Sequence, residues 1–494
     1  MQYHEYQQYD ALGLAEQVRL GQISPAELLE LAAQRADTTH PQINAIVRRY
    51  DARARQRAQA PLPNGAPFAG VPFLLKDLFQ EWQGEPCSWG NAAHARHKAP
   101  VTADVVRRWE DAGLLIFGAT NTPEFGAKNV TEPRAHGPAR NPWHTGRTPG
   151  GSSGGAGAAV AAGIVPMAAA SDGGGSIRIP AACNGIFGLK AGRGRISMGP
   201  LAAEGFFGAA VQGVLSRSVR DTAAMLDVLQ GPEPHAPYWM PPPANAYLSD
   251  LNTPPKPLRI GFSTTSPTGT PVDAQAVAAV EDAARLLENL GHHVEPVEPP
   301  GDGRQQAQDF LLAWFATQAT LIDELARQYG MRPADFEPDT RVMAAVGRTV
   351  SAPELLACLE RWHLHTLALT QLHARYDLWL SPTLSAPPIE IGALATPPAL
   401  HLANELLSRL GLFRLVRQTR FFQDTVMKNL AWTPFTQLAN ITGRPAMSVP
   451  LYWTPDGLPL GVQFVGPLDS ERLLLRLAAQ LEQARPWFGR RPPL

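Results

Sequence analysis

The fold is decided by residues 150–180, which read GGSSGGAGAAVAAGIVPMAAASDGGGSIRIP. Two loops rich in Gly and Ser, at 150–155 and 171–176, flank a predicted small-residue helix (about 156–163) and a predicted short strand (about 165–170). Small side chains allow elements to pack with their backbones close together. Glycine also permits positive φ angles and leaves backbone N–H groups uncovered. The tract therefore predicts two glycine-rich loops carried on closely packed elements.

Outward from this tract, helices and strands alternate, which is the α/β pattern. Ser24, Pro25 and Glu27 form a capping box that begins a helix. The pattern predicts helices at 24–36, 102–113, 219–229, 273–290, 305–375 and 470–482, and strands at 114–118, 258–262, 293–297, 446–452 and 461–465. Residues 400–425 predict an amphipathic helix lying on the body of the protein.

Nine prolines between residues 231 and 257 predict an irregular surface excursion. We expect a single domain over residues 1–494, in which the variable region 231–425 shapes the substrate pocket.

Composition excludes several classes of function. The net charge of −1 gives no overall field that would attract nucleic acid. No apolar run approaches the ~20 residues of a membrane span, and the N-terminus has no signal-peptide pattern. The three cysteines lack metal or disulfide spacing. We therefore expect a cytoplasmic protein that uses no cofactor, no metal, no nucleic acid and no membrane.

Three pieces of sequence together suggest amide hydrolysis. An apolar run ends at Lys76, one glycine-rich loop carries Ser152, and the other carries Ser176 after Gly173–Gly175. Consecutive N–H groups at Gly173–Ser176 would stabilise an oxyanion, and each such donor is worth ~3 kcal/mol. A buried lysine has a lowered pKa and can act as a base. We predict that Ser176 is the nucleophile and that Ser152 relays its proton to Lys76.

Two other interpretations remain open at this point. Residues 150–154 fit the G-x-S-x-G nucleophile elbow of α/β-hydrolases, although residues 145–149 make a poor strand before it. The chain could also be an inactive scaffold, but a scaffold has no use for Lys76, Ser152 and Ser176 together.

The sequence resembles the amidase signature family. The resemblance lies in the Gly/Ser tract and in the segments Leu75–Asp77, Asn121–Phe125, Gly188–Lys190, Thr442–Ala446 and Gly457–Gln463. It implies an α/β fold, with a central mixed sheet covered by helices on both sides.

The resemblance also implies roles for individual residues. It implies a Ser–cisSer–Lys triad, in which Lys76 is the base, Ser152 is the bridging serine behind a cis peptide bond, and Ser176 is the acylated nucleophile. It places the oxyanion hole in the residues before Ser176, namely Gly173, Gly174 and Gly175. It makes Ala127 a substrate contact and gives Asp172 and Arg178 structural roles.

Within the family, residues 131–133, 140–143 and 192–197 look like the branch that contains 6-aminohexanoate cyclic-dimer hydrolases. The resemblance thus implies hydrolysis of a small-molecule amide, cyclic or linear, through an acyl-enzyme, and it suggests a homodimer. The alternative is the glutamine-hydrolysing subunit of a tRNA-dependent amidotransferase. Gly173 departs from the family pattern, because a larger residue, commonly Thr or Ile, usually stands there.

Overall fold

The computed structural model describes residues 1–231, 236–238 and 240–494, apart from the side chain of Arg409. Its strands are β1 Ile46–Arg49, β2 Pro72–Lys76, β3 Leu115–Thr120, β4 Met167–Asp172, β5 Phe187–Lys190, β6 Val211–Ser216, β7 Arg259–Phe262, β8 His293–Pro296, β9 Leu378–Pro382, β10 Ala446–Val449 and β11 Val462–Val465. Its helices are α1 Tyr3–Tyr6, α2 Ala11–Arg19, α3 Pro25–Ile43, α4 Asp51–Gln59, α5 Asp104–Asp111, α6 Gly154–Ala161, α7 Arg178–Asn184, α8 Val219–Leu229, α9 Ala274–Asn289, α10 Gly303–Tyr329, α11 Pro338–Gly347, α12 Ala352–His373, α13 Pro398–Arg409, α14 Phe413–Val416, α15 Arg420–Leu430, α16 Gln437–Ile441 and α17 Glu471–Ala484.

The strands form two sheets. The larger sheet has the order β4-β6-β5-β10-β11-β9-β7-β8, with parallel pairing on both sides of β7 and antiparallel pairing elsewhere. This confirms the predicted mixed sheet. The smaller sheet, β1-β3-β2, was not predicted, and its strand β2 ends at Lys76. The predicted base therefore ends a strand of the smaller sheet, whereas Ser176 follows β4 of the larger sheet and Ser152 lies in the loop before α6.

Local sequence signals explain where several elements begin. The Ser24 hydroxyl accepts a hydrogen bond from the Glu27 amide, and the Glu27 carboxylate accepts one from the Ser24 amide, so α3 begins with the predicted capping box. Helix α6 and strand β4 lie within two residues of their predicted starts. The prediction of one helix over 400–425 is wrong. Gly411, at φ +66°, separates α13 from α14, and Thr419 caps the start of α15.

The proline-rich excursion has little regular structure where it is described, with a short 3-10 turn at Leu248–Asp250; residues 232–235 and 239 lie outside the described part. Cys87, Cys183 and Cys358 are free and buried. Among the described residues, no lone helix is long and apolar enough to cross a bilayer. The bent pair α11 and α12, which meet at 96°, passes that test of length and composition only when taken together.

Candidate active site

The predicted base, Lys76, is sealed inside the protein at the end of β2. All five residues of this strand are buried, and Lys76 itself is 0% exposed. Its Nζ donates to Ser152 Oγ at 2.8 Å and to Ser171 Oγ at 2.9 Å. Burial lowers the pKa of the Lys76 amine to about 7, against a smaller opposing effect of the Asp172 carboxylate. A large fraction of this amine is therefore neutral at neutral pH and can accept a proton.

Ser152 lies in a tightly packed loop, where it is 2% exposed. The Gly151–Ser152 peptide bond is cis. A Cβ atom added at Gly151 would lie 2.6 Å from the backbone nitrogen of Val130, so a side chain has no room there. Residues 145–149 form no strand, which removes the support that a nucleophile elbow needs.

The segment around Ala127 borders the bridging serine. A Cβ atom added at Gly126 would lie 3.3 Å from Ser152 Oγ. Ala127 follows directly and is half-buried. Its predicted contact with substrate is compatible with this position and stays a prediction.

Ser171 is a contact of Lys76 that sequence reasoning missed. Besides its hydroxyl, its carbonyl oxygen lies 3.5 Å from Lys76 Nζ. Ser153 fixes Ser171 from the other side, because Ser153 Oγ donates to the Ser171 carbonyl at 3.2 Å and accepts from the Ser171 amide at 3.4 Å. Ser153 thus joins the two glycine-rich loops, whereas its neighbour Ser152 faces the lysine. The only signal for Ser171 was its place at the start of the second loop.

The second loop carries Ser176 in a turn just ahead of α7, where the serine is half-buried. Gly175 adopts φ +125°, and a Cβ atom there would lie 2.5 Å from Thr436 Oγ1. The Gly175 amide donates to Asp172 Oδ1 at 2.7 Å. This bond occupies one of the three glycine amides that the sequence predicts for the oxyanion hole. Gly173 and Gly174, both half-buried, precede it along the same loop.

A buried ion pair holds the second loop to the larger sheet. Arg178 donates to both carboxylate oxygens of Asp172 at 3.0 Å, and both side chains are 0% exposed. Arg178 also donates to Gln463 Oε1 at 2.6 Å and Asn440 Oδ1 at 2.6 Å. Burial raises the pKa of Asp172, but the Arg178 guanidinium outweighs burial and holds this pKa well below its usual range. The predicted structural role of this pair fits these contacts.

Aromatic side chains cover the second loop on the side of α10. A Cβ atom added at Gly174 would lie 2.7 Å from Phe310 Cζ. Trp314 stacks on Phe310, with ring centroids 5.8 Å apart and planes at 11°, and Phe206 meets both rings edge-on. Helix α10 lies in the region 231–425. The sequence predicts that this region shapes the substrate pocket but does not indicate which of its residues do so.

The structure thus brings Lys76 and Ser152 into direct contact and places Ser176 on a loop bound to the same strand, β4, that supplies Ser171. A basic amine, two hydroxyl groups and glycine amides are the groups that a serine amidohydrolase needs. Within the described residues, no cluster of three or more His, Cys, Asp or Glu could hold a metal ion.

Comparisons with known proteins agree with this chemistry. The sequence profile of the amidase family matches residues 27–475. The chain is 38% identical to the 6-aminohexanoate-cyclic-dimer hydrolase of Paenarthrobacter ureafaciens, over 98% of this chain and 96% of that protein. It is 35% identical to the lipoamidase of Enterococcus faecalis, over 97% of this chain and 63% of that protein. The solved structure of a 6-aminohexanoate cyclic dimer hydrolase complexed with substrate superimposes with a TM-score of 0.88 at 35% identity, covering 98% of both chains.

The chain therefore belongs to the amidase family. It is a hydrolase of the class that acts on amide bonds through a serine acyl-enzyme, a mechanism general to that family. The fold expected from the resemblance, a mixed sheet with many helices, is confirmed.

Proposed function

We propose that this amidase cleaves carboxamides with a triad of Lys76, Ser152 and Ser176. The observation that carries the proposal is the 2.8 Å contact between a fully buried lysine amine and Ser152 Oγ. A lysine with an ordinary pKa would be charged at pH 7 and could not accept a proton. Burial removes that obstacle, because it lowers the pKa of Lys76 to about 7.

The proton moves through two hydroxyl groups in series. Ser176 Oγ attacks the amide carbonyl while its proton passes to Ser152 Oγ, whose own proton passes to Lys76 Nζ. When the tetrahedral intermediate collapses, Ser152 gives a proton to the leaving nitrogen and takes one back from Lys76. An acyl-Ser176 ester and a free amine result. Water then attacks the ester by the same relay, which releases the carboxylate and returns the proton to Ser176.

The negative charge of the tetrahedral intermediate needs donors fixed in place before the reaction. We assign this role to the amides of Gly173 and Gly174, because the Gly175 amide already donates to Asp172. Thr436 Oγ1 donates to the Gly174 carbonyl at 2.6 Å and so fixes the Gly174–Gly175 peptide plane, directly after these two amides. The loss of one such donor typically costs ~3 kcal/mol in the transition state.

The substrate class that fits best is an amide with an apolar acyl group. Support comes from the rings of Phe206, Phe310 and Trp314 beside the proposed oxyanion loop. The names of two relatives point the same way, since they denote a hydrolase of 6-aminohexanoate cyclic dimer and a lipoamidase. Helix α10 and the rest of 231–425 would then shape the acyl pocket, with Ala127 on the side of Ser152.

A fluorophosphonate probe tests the triad directly. Wild type should be labelled, and Ser176→Ala should stay unlabelled. Ser152→Ala should slow labelling by ~10³-fold or more, because the proton path is cut. Ser153→Ala is the matched control in the same loop and should retain most of the labelling. If Ser153→Ala abolished labelling and Ser152→Ala did not, the proposed relay would be wrong.

The substrate is tested by incubating purified wild type with linear aliphatic, cyclic aliphatic, aryl and peptide amides and measuring the released amine. We expect turnover of aliphatic or aryl amides and little of charged peptides. A chain that accepts the probe but releases ammonia only from glutamine, in the presence of a partner subunit, would instead indicate the amidotransferase subunit.

A further inference from the structure

Helix α10 presents two aromatic residues, one turn apart, to the two glycines of the proposed oxyanion loop. Phe310 lies over Gly174, as described above. A Cβ atom added at Gly173 would lie 3.8 Å from Trp314 Cζ3 and 3.6 Å from the Cβ of Ala210, which are ordinary contacts. The backbone of Gly173 is also outside the left-handed region, so a side chain is conformationally permitted there. The neighbours of that Cβ are the Trp314 indole and Ala210, so a larger residue at 173 would crowd these side chains.

Trp314 and Phe206 are the members of this group that remain partly exposed. Phe310 is 6% exposed and supports the indole from behind, whereas Trp314 is half-buried. Phe206 meets the indole edge-on, with centroids 5.0 Å apart and planes at 90°. The indole is therefore held between two aromatic neighbours and stays partly exposed beside the loop.

The backbone conformation at Phe206 indicates that this group of aromatic rings contacts a ligand. Phe206 and Phe207 have φ angles of +49° and +52°. Bulky residues rarely adopt such angles, and where they do, the strain concentrates at binding and catalytic sites. Two consecutive phenylalanines with strained backbone angles, of which Phe206 packs edge-on against the indole, are thus a second observation, independent of the contact between Gly173 and Trp314.

The proposed proton relay decides which part of a substrate lies against these aromatic rings. The leaving nitrogen must approach Ser152, from which it receives its proton. In the proposed arrangement, the acyl chain leaves the same carbonyl carbon in another direction, along the loop toward Gly173. The carbon next to the carbonyl would then lie closest to the indole. A methyl branch on that carbon would need the space that Trp314 occupies.

We propose that Trp314, through the space left by Gly173, sets the acyl specificity of this enzyme: it admits acyl groups with an unbranched CH2 beside the carbonyl and excludes branched ones. The proposal rests on the proposed function. The size of the effect follows from the usual value of one misplaced methyl group in an apolar pocket, about 10–200-fold in kcat/KM.

Two amides with the same leaving group and the same number of atoms test it: butyryl and isobutyryl 4-nitroanilide. Wild type should favour the butyryl substrate by about tenfold or more in kcat/KM. Trp314→Leu should reduce this preference to about threefold or less, mainly by raising kcat/KM for the isobutyryl substrate. Trp362→Leu is the matched control. Trp362 belongs to the same aromatic group, with its centroid 5.8 Å from that of Phe206, and its replacement should leave the preference unchanged.

A second substitution, at residue 173, fills the space that Trp314→Leu leaves. Gly173→Val, introduced into the Trp314→Leu protein, should restore the preference for the butyryl substrate, because the valine methyls enter the vacated volume. Acetamides of butylamine and of sec-butylamine test the leaving side, and Trp314→Leu should leave their ratio unchanged.

The proposal is overturned if Trp314→Leu still reacts with the fluorophosphonate probe but keeps the wild-type preference, or if only the leaving-side ratio changes. Failure of wild type to hydrolyse any amide would instead overturn the proposed function, and the inference with it. A Trp314→Leu protein that does not fold is replaced by Trp314→Phe, for which a smaller shift in the same direction is expected.

Discussion

Acylation of Ser176 should depend on pH through Lys76. Burial lowers the pKa of Lys76 from 10.5 to about 7. At pH 7, an amine of pKa 10.5 is neutral in about one molecule in 3,000, whereas an amine of pKa about 7 is neutral in about half. The fraction able to accept a proton rises about a thousandfold, which corresponds to ~4 kcal/mol of activation free energy. We therefore expect the acylation rate to rise about tenfold per pH unit below pH ~7 and to level off above pH ~8.

The assay is the second-order rate of fluorophosphonate labelling between pH 5 and 9, with the probe's own hydrolysis subtracted. Other buried groups also titrate in this range: burial raises the pKa of Asp77 to about 6, of Glu124 to about 7 and of Asp221 to about 8, and lowers that of Lys190 to about 7. Lys190→Met should keep the wild-type inflection, and an Asp77 effect would appear about one pH unit lower. Lys76→Ala should lower the plateau by ~10³–10⁴-fold and remove the inflection. An inflection that persists in Lys76→Ala, or a wild-type inflection near pH 10, would refute the assignment.

Three further outcomes follow from contacts already described. Lys76→Met should raise the free energy of unfolding at pH 7 by about 1–3 kcal/mol in urea titrations, because folding no longer strips a proton from a buried amine; the gain should shrink as the pH rises toward 10.5, and a loss would contradict the burial argument. Arg178→Met should lower that free energy by about 3–5 kcal/mol, since it leaves the Asp172 carboxylate buried without its cation; a change under ~1 kcal/mol would show that the pair is not essential to the fold. Gly175→Ala should slow labelling by ~10²-fold or more and lower the thermal stability, because its Cβ at 2.5 Å from Thr436 Oγ1 displaces the loop and φ +125° disfavours a side chain; wild-type rates would show that the loop tolerates the shift.

The sequence predicted elements whose signals are local. The cap at Ser24 and the glycine-rich loops on either side of α6 depend on residues a few positions apart, and the structure has them within two residues of the predicted starts. The break at Gly411 shows the limit of this approach. An amphipathic pattern continues across the break, so the pattern does not mark where one helix ends, and several of its apolar residues, among them Leu402, Leu415 and Phe421, are exposed.

The proposed site was predicted in part for the same reason. Lys76, Ser152 and Ser176 stand in motifs that can be read individually. The contact of Lys76 with Ser171, 95 positions away, and the packing of Trp314 against Gly173 arise only when distant elements meet. The pairing of the Gly175 amide with Asp172 was missed because counting glycines does not show where each N–H points. The homodimer, the cytoplasmic location and the contact of Ala127 stay predictions.

The division of the strands into two sheets has a consequence for the nascent protein. Lys76 loses its ordinary basicity only where β2, from the smaller sheet, comes to lie against β4, at the edge of the larger one. Before the two sheets pack together, the Lys76 amine is hydrated and charged, and the hydroxyl groups of Ser152 and Ser176 are as unreactive as those of any serine in water. The proposed relay therefore needs both sheets folded and packed against each other, and a chain in which they are still apart lacks the neutral lysine.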